Sequence, residues 1–177
     1  GRQAGLSAGR QAGLSVDRQA GISGLRAMAF DYSGTSGAPA MMVLVDKIRG
    51  GKKKVWLWQV SKQWMDKVRI DPDGRAFTLD HGDASMTATF AAPENVRLDA
   101  VTERIEVRDA RHGYHGEVSR IKATGGDDFF VVVTFQRRAP PRVRVEGKGL
   151  EAAVTVGRQT VRFDAGPPAR VVLAPLE

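Results

Sequence analysis

Short runs of β-branched and aromatic residues, each cut off by glycine, proline, asparagine or aspartate, fill the chain from Leu25 to Leu173. Lys53–Val60, Ser85–Ala91, Asp128–Gln136 and Gln159–Asp164 have strand length, and hardly any segment keeps the 3.6-residue period of an amphipathic helix. That texture confines the chain to antiparallel β architecture. So many short strands within about 150 residues cannot hide their apolar faces in a single open sheet. The expected fold is all-β: an antiparallel β-sandwich of two stacked sheets over residues 25–177.

Alternation within the runs assigns them to layers. Val55, Leu57 and Gln59 fall on one face of their strand and Trp56, Trp58 and Val60 on the other. With so little polar face, Lys53–Val60 reads as a central strand covered on both sides. Ser85–Phe90 and Gln159–Phe163 alternate polar with apolar and read as outer-layer strands with one wet face. Arg49-Gly50-Gly51-Lys52 offers glycines for a tight hairpin, Asp71-Pro72-Asp73-Gly74 suits a type I turn, and Gly157-Arg158 suits a two-residue II′ hairpin.

Residues 1–24 differ. They form three eight-residue units that repeat Arg-Gln-Ala-Gly-(Leu/Ile)-Ser. One apolar side chain per unit (Leu6, Leu14, Ile22) makes no heptad seam and no strand face, and paired glycines weaken any helix by about 1 kcal/mol each. A flexible, mildly basic, disordered tether over 1–24 is expected, with a solenoid turn per unit or a non-native start as alternatives.

Hydrophobic residues make up 42% of the chain and charged residues 27%, an ordinary globular balance rather than that of a disordered chain. The longest apolar run, Phe129–Val133, is strand-sized and far short of a membrane-crossing helix. The absence of cysteine removes disulfides and cysteine-ligated zinc. An excess of 27 Lys and Arg over 20 Asp and Glu gives +7, which favours anionic partners: polyanionic glycans, nucleic acid or acidic lipid.

The chemistry-bearing clusters are few. His112-Gly113-Tyr114-His115 has a spacing that two metal ligands on a turn could use, but solvated histidines on a polar turn are the simpler account. Asp80-His81-Gly82-Asp83 reads as a hairpin tip and Gly125-Gly126-Asp127-Asp128 as a tight turn with solvated acids, not a calcium loop. No motif nominates a nucleophile, so no catalytic residue, metal or cofactor is assigned. Lys47, Arg49, Lys52, Lys53 and Lys54 crowd one hairpin, and Arg137 and Arg138, with Arg142 and Arg144, crowd another, all beside Trp56, Trp58 and Trp64. Lysine and arginine hold carboxylates and sulfates, so Lys47, Arg49, Lys52, Lys53, Lys54, Arg137 and Arg138 are the candidate substrate-binding residues. The alternative is charge that keeps strand edges from pairing, with the indoles in the core.

The segment Met28-Ala29-Phe30-Asp31-Tyr32-Ser33-Gly34-Thr35-Ser36-Gly37-Ala38-Pro39-Ala40, the run Val43–Ile48 that turns back into Val55–Gln59, Ala92–Val96, Ala123–Val132 and Val154–Phe163 together resemble the C-terminal β region of heparinase II/III-like polysaccharide lyases. The resemblance implies a C-terminal β-sandwich that supports an upstream helical toroid of the same parent chain. It further implies that the parent cleaves uronic-acid-containing polysaccharide by β-elimination, in the periplasm or outside the cell. Such chemistry needs a group to neutralise the uronate, a base for the C5 proton and an acid for the leaving oxygen. Tyr32, His81, His112, Tyr114 and His115 match no motif of that kind, so this portion is expected to be inactive alone. Anionic polysaccharide and the toroid are the expected partners, with neither nucleic acid nor membrane. The alternative is a free-standing polyanion- or carbohydrate-binding module, or a cell-surface structural protein, with no enzymatic activity.

Overall fold

The computed structural model describes residues 21–108, 113–137 and 139–176. Most of the octad segment thus lies outside the described residues, as do His112 and Arg138. Thirteen strands follow in order: β1 (Ser23–Asp31), β2 (Ala40–Arg49), β3 (Trp56–Val60), β4 (Val68–Ile70), β5 (Ala76–His81), β6 (Ala84–Ala92), β7 (Arg97–Arg108), β8 (Gly113–Thr124), β9 (Asp128–Gln136), β10 (Val143–Glu146), β11 (Ala153–Val156), β12 (Gln159–Asp164) and β13 (Arg170–Pro175). Short 3-10 turns occupy Lys62–Lys67 and Gly149–Glu151. All the strand pairings are antiparallel.

The all-β antiparallel sandwich is as expected, but the stack has a third layer. A six-stranded sheet, ordered β1-β2-β9-β6-β5-β4, lies between a three-stranded sheet, β3-β8-β7, and a four-stranded sheet, β10-β11-β12-β13. Its two faces feed two separate cores. Phe129, Val131 and Val133 of β9 pack with Met42, Phe77, Phe90, Trp56 and Ile121 towards the three-stranded sheet. Phe130 and Val132 of the same strand pack with Val43, Val45, Val154 and Val161 towards the four-stranded sheet. The period-2 alternation sends neighbouring residues of one strand into opposite cores, so β9 must be apolar at nearly every position. Each fully buried Val or Phe contributes roughly 1.5–3 kcal/mol of transfer free energy.

The doubly covered centre is therefore β2 and β9, not Lys53–Val60. Only Trp56 and Val60 of β3 are buried, Leu57 is 49% exposed, and β3 forms one edge of the three-stranded sheet. Trp56 stands against Phe90 edge-on, with centroids 5.2 Å apart, and Trp58 tilts against Phe77 at 6.5 Å, so both indoles of the strand serve the one covered face. Ser85–Phe90, expected in an outer layer, lies instead within β6 in the middle of the six-stranded sheet. Its polar residues are absorbed by local bonding: the Thr78 and Thr87 hydroxyls lie 3.0 Å apart, and the Gln136 amide donates to Ser85 and Thr87. Gln159–Phe163 lies in an outer sheet as expected, although Gln159 and Val161 are buried.

The expected hairpin at Arg49–Lys52 is a crossover. β2 ends at Arg49 in one sheet and the chain passes through Gly50 and Gly51, both at positive φ, to a strand of another sheet. Gly125–Asp127 makes the reverse passage, from β8 back to β9. The turn at Asp71–Gly74 forms as expected, with the Gly74 N–H donating to the Asp71 carbonyl at 2.8 Å. At Gly157-Arg158 only the glycine has positive φ, the mark of a II′ hairpin, and the register Val156↔Gln159 closes it. β1 begins at Ser23, pairing with Arg49, so the strand reaches two residues into the last octad.

The outer face of the three-stranded sheet carries a cross-strand charge cluster. The Glu103 carboxylate on β7 accepts hydrogen bonds from Arg120 and Lys122 on β8. Hydrogen bonding from Lys122, then from Arg120, holds the Glu103 carboxyl below its ordinary value of 4.5. A depressed folded-state pKa stabilises the fold at pH above the ordinary value, and that contribution disappears as pH falls through the folded-state value. Glu103→Gln should therefore melt below the parent at pH 7, with the gap closing on acidification below about 4.5. Thermal unfolding across that range checks it, and a gap independent of pH would refute the pairing.

Candidate anion-facing site

The cations proposed for substrate binding fall at opposite ends of the six-stranded sheet. β2 and β9 run antiparallel in the register Ala40↔Phe135 to Lys47↔Asp128. Lys47, Arg49, Lys52, Lys53 and Lys54 belong to the Asp128 end, and Arg137 follows β9 at the other. Seven residues of strand separate the two, roughly 23 Å at the usual rise. The structure does not bring them together, and Arg138 lies outside the described residues.

At the Asp128 end the local acids divide the cations into two groups. Arg49 makes two hydrogen bonds to the Asp128 carboxylate, at 2.6 and 3.2 Å, and this bonding raises its pKa. Lys54 pairs with Asp127 at 2.9 Å, its side chain only 11% exposed. The Gly125–Asp128 acids are thus counter-ions to the basic crossover rather than free carboxylates. Asp46 on β2 is similarly engaged: its buried carboxylate takes a bidentate pair from Arg26, at 2.5 and 2.7 Å. Lys47 is half-buried while Lys52 and Lys53 are exposed, and none of the three pairs with a described carboxylate.

Sequence reasoning missed a contributor. An open cavity of about 340 Å³ lies between this end of the sheet and the four-stranded layer, lined by Lys47, Arg49, Asp128, Lys148, Leu150 and Phe163 among others. Lys148 comes from the β10–β11 connection, about a hundred residues away in the chain. Its exposed ammonium reaches the Lys47 cavity only because the outer sheet folds over it. Nothing in the spacing around Lys148 signals this. Chemically, the arrangement offers the ammonium groups of Lys47 and Lys148, with the Glu151 carboxylate beside them, around a partly apolar hollow, and can hold carboxylate or sulfate groups on an extended ligand.

The other candidates stand apart. His81 sits at the β5–β6 tip with its ring packed at a tilt of 49° against Trp64, centroids 4.0 Å apart. Tyr32, 73% exposed, follows β1 at the far edge of the same sheet. Four strand spacings separate β1 from β5, about 19 Å, too far for shared proton transfer. His115 and Tyr114 fall within β8. Among the described residues no three His, Asp or Glu side chains gather as metal ligands do. Of the three tryptophans, Trp56 is core and Trp58 and Trp64 pack partly buried against that core, so the indoles do not form a surface beside the basic rim.

No known family's sequence profile matches the chain, and no curated protein matches it either. Among solved structures it is similar to heparan sulfate lyase HepC from Pedobacter heparinus, at 12% identity and a TM-score of 0.48 over 77% of this chain. The match spans 22% of that enzyme's length. No helix among the described residues is long and apolar enough to cross a membrane.

Proposed function

We propose that the chain is a non-catalytic β-sandwich portion of a heparinase II/III-type polysaccharide lyase, which supports a toroid elsewhere in the parent protein and presents a cationic rim to anionic polysaccharide. The observation that carries the glycan part is the set of ammonium groups left over at the Asp128 end: Lys47 and Lys148 in the lining of one hollow, with the exposed Lys52 and Lys53 on the crossover that leaves the same end of the sheet. Local acids neutralise Arg49 and Lys54 and leave these four for a partner. The lyase part rests on the resemblance of the segments from Met28 to Phe163. The distance between Tyr32 and His81 supports a structural rather than catalytic role. A periplasmic or extracellular location belongs to the same reading.

The triple variant Lys47→Ala, Lys52→Ala, Lys53→Ala should bind heparin about tenfold more weakly at low salt, at roughly 0.5 kcal/mol for each cation. Lys54→Ala should change binding far less. Added salt should narrow the difference. Elution from a heparin column measures both, and equal retention of the triple variant and the parent would remove the glycan rim. Release of unsaturated uronate from heparan sulfate by this chain should stay at background, and measurable turnover would overturn the non-catalytic assignment.

A further inference from the structure

The opposite end of the six-stranded sheet, about 23 Å from the basic rim, holds a second hollow that the glycan reading does not use. It has a volume of about 350 Å³ and lies where the β5–β6 tip meets the end of β9. Leu79, Met86, Phe135 and Pro39 wall it, and His81, Ala84 and Arg137 complete its side. The wall is firm: Met86 and Phe135 are cross-strand partners, and Trp64 holds the His81 ring.

Charge gives the hollow a chemical direction. The Gln136 side chain does not: it bonds to Ser85 and Thr87, on the opposite face of the sheet from Met86 and Phe135. Arg137 is exposed in the lining and pairs with no described carboxylate, and none of the described lining residues is acidic.

We infer that this hollow is a binding site for a small amphipathic anion, with its apolar body against Leu79, Met86 and Phe135 and its anionic head on Arg137. Apolar walls beside a charged group are common in small-molecule sites, and the volume suits a ligand of one or two rings.

The test uses the full chain with two probes of one shape, 1-naphthalenesulfonate and the neutral 1-naphthalenemethanol, titrated by calorimetry. The sulfonate should bind saturably, one per chain, and about tenfold more tightly than the alcohol, the worth of one charged hydrogen bond. Arg137→Ala should remove that preference and leave the alcohol's affinity unchanged. Ala84→Trp, at an exposed strand start, should fill the hollow and abolish both while the melting temperature holds. Arg137→Ala, at an exposed position, tests the anionic head even if the tryptophan variant folds poorly. Non-saturable binding, equal affinity for the two probes, or a preference that survives Arg137→Ala would overturn the proposal. So would a chain dimer in sedimentation that Ala84→Trp disperses, since the occupant would then be a second copy.

Discussion

Val132→Asp should abolish folding, whereas Leu57→Asp should leave the midpoint within about 0.5 kcal/mol of the parent, the range of ordinary surface changes. Both substitutions put a carboxylate into an apolar strand. Val132 is 1% exposed and lies in the core shared with Val43, Val154 and Val161, between two sheets. An ionised carboxylate without a partner in such surroundings costs far more than the 5–15 kcal/mol that holds a domain together. Even protonated, it would keep unsatisfied polar atoms in a dry interior. Leu57 is 49% exposed on the outer face of the edge strand β3, directly across from Lys122. A carboxylate there stays in water. Far-UV circular dichroism and urea unfolding separate the two outcomes. If Leu57→Asp unfolds the chain, β3 is a covered central strand after all and the three-layer arrangement is wrong.

Phe90→Ala should cost about 3–5 kcal/mol, the usual range for emptying a buried aromatic site. Phe90 is fully buried, and its ring meets Trp56 at 5.2 Å edge-on and Phe77 at 6.5 Å. It therefore links the six-stranded sheet to the three-stranded one. The surrounding backbone has little freedom to collapse into the space. β6 shifts register against β9 between Phe90 and Ala92, and the Arg75 guanidinium donates to the Phe90 and Ala91 carbonyls at 3.1 Å. A bulge held in this way keeps the cavity open, which places the cost toward the upper end. At a few degrees per kcal/mol for a domain of this size, the melting temperature should fall by about 10 °C. Trp56 fluorescence should shift to the red as its neighbour disappears. A loss below about 1 kcal/mol would mean that the two layers do not interlock through this ring.

The cationic rim shows how far linear reading reaches. The crowding of Lys47–Lys54 is visible along the chain, and so are Asp127 and Asp128. Their mutual neutralisation is not, because Arg49 and Asp128 are 79 residues apart and meet only through the pairing of β2 with β9. Lys148 and the Arg137 hollow were hidden for the same reason. Each is assembled from side chains that share no local pattern.

The all-β class, the antiparallel pairing, the turns at Asp71–Gly74 and Gly157-Arg158 and the apolar strand Asp128–Gln136 were determined by local sequence, because side-chain alternation and positive-φ demands act within a few residues. Which strand occupies the middle was decided only by tertiary structure. Lys53–Val60 and Asp128–Gln136 are both apolar on two faces, and a strand's own pattern records how much surface must be covered, not which neighbour covers it. Trp56 finds its cover in Phe90 while Leu57 stays at the surface, and Phe130 and Val132 find theirs in a third sheet formed by the last strands of the chain.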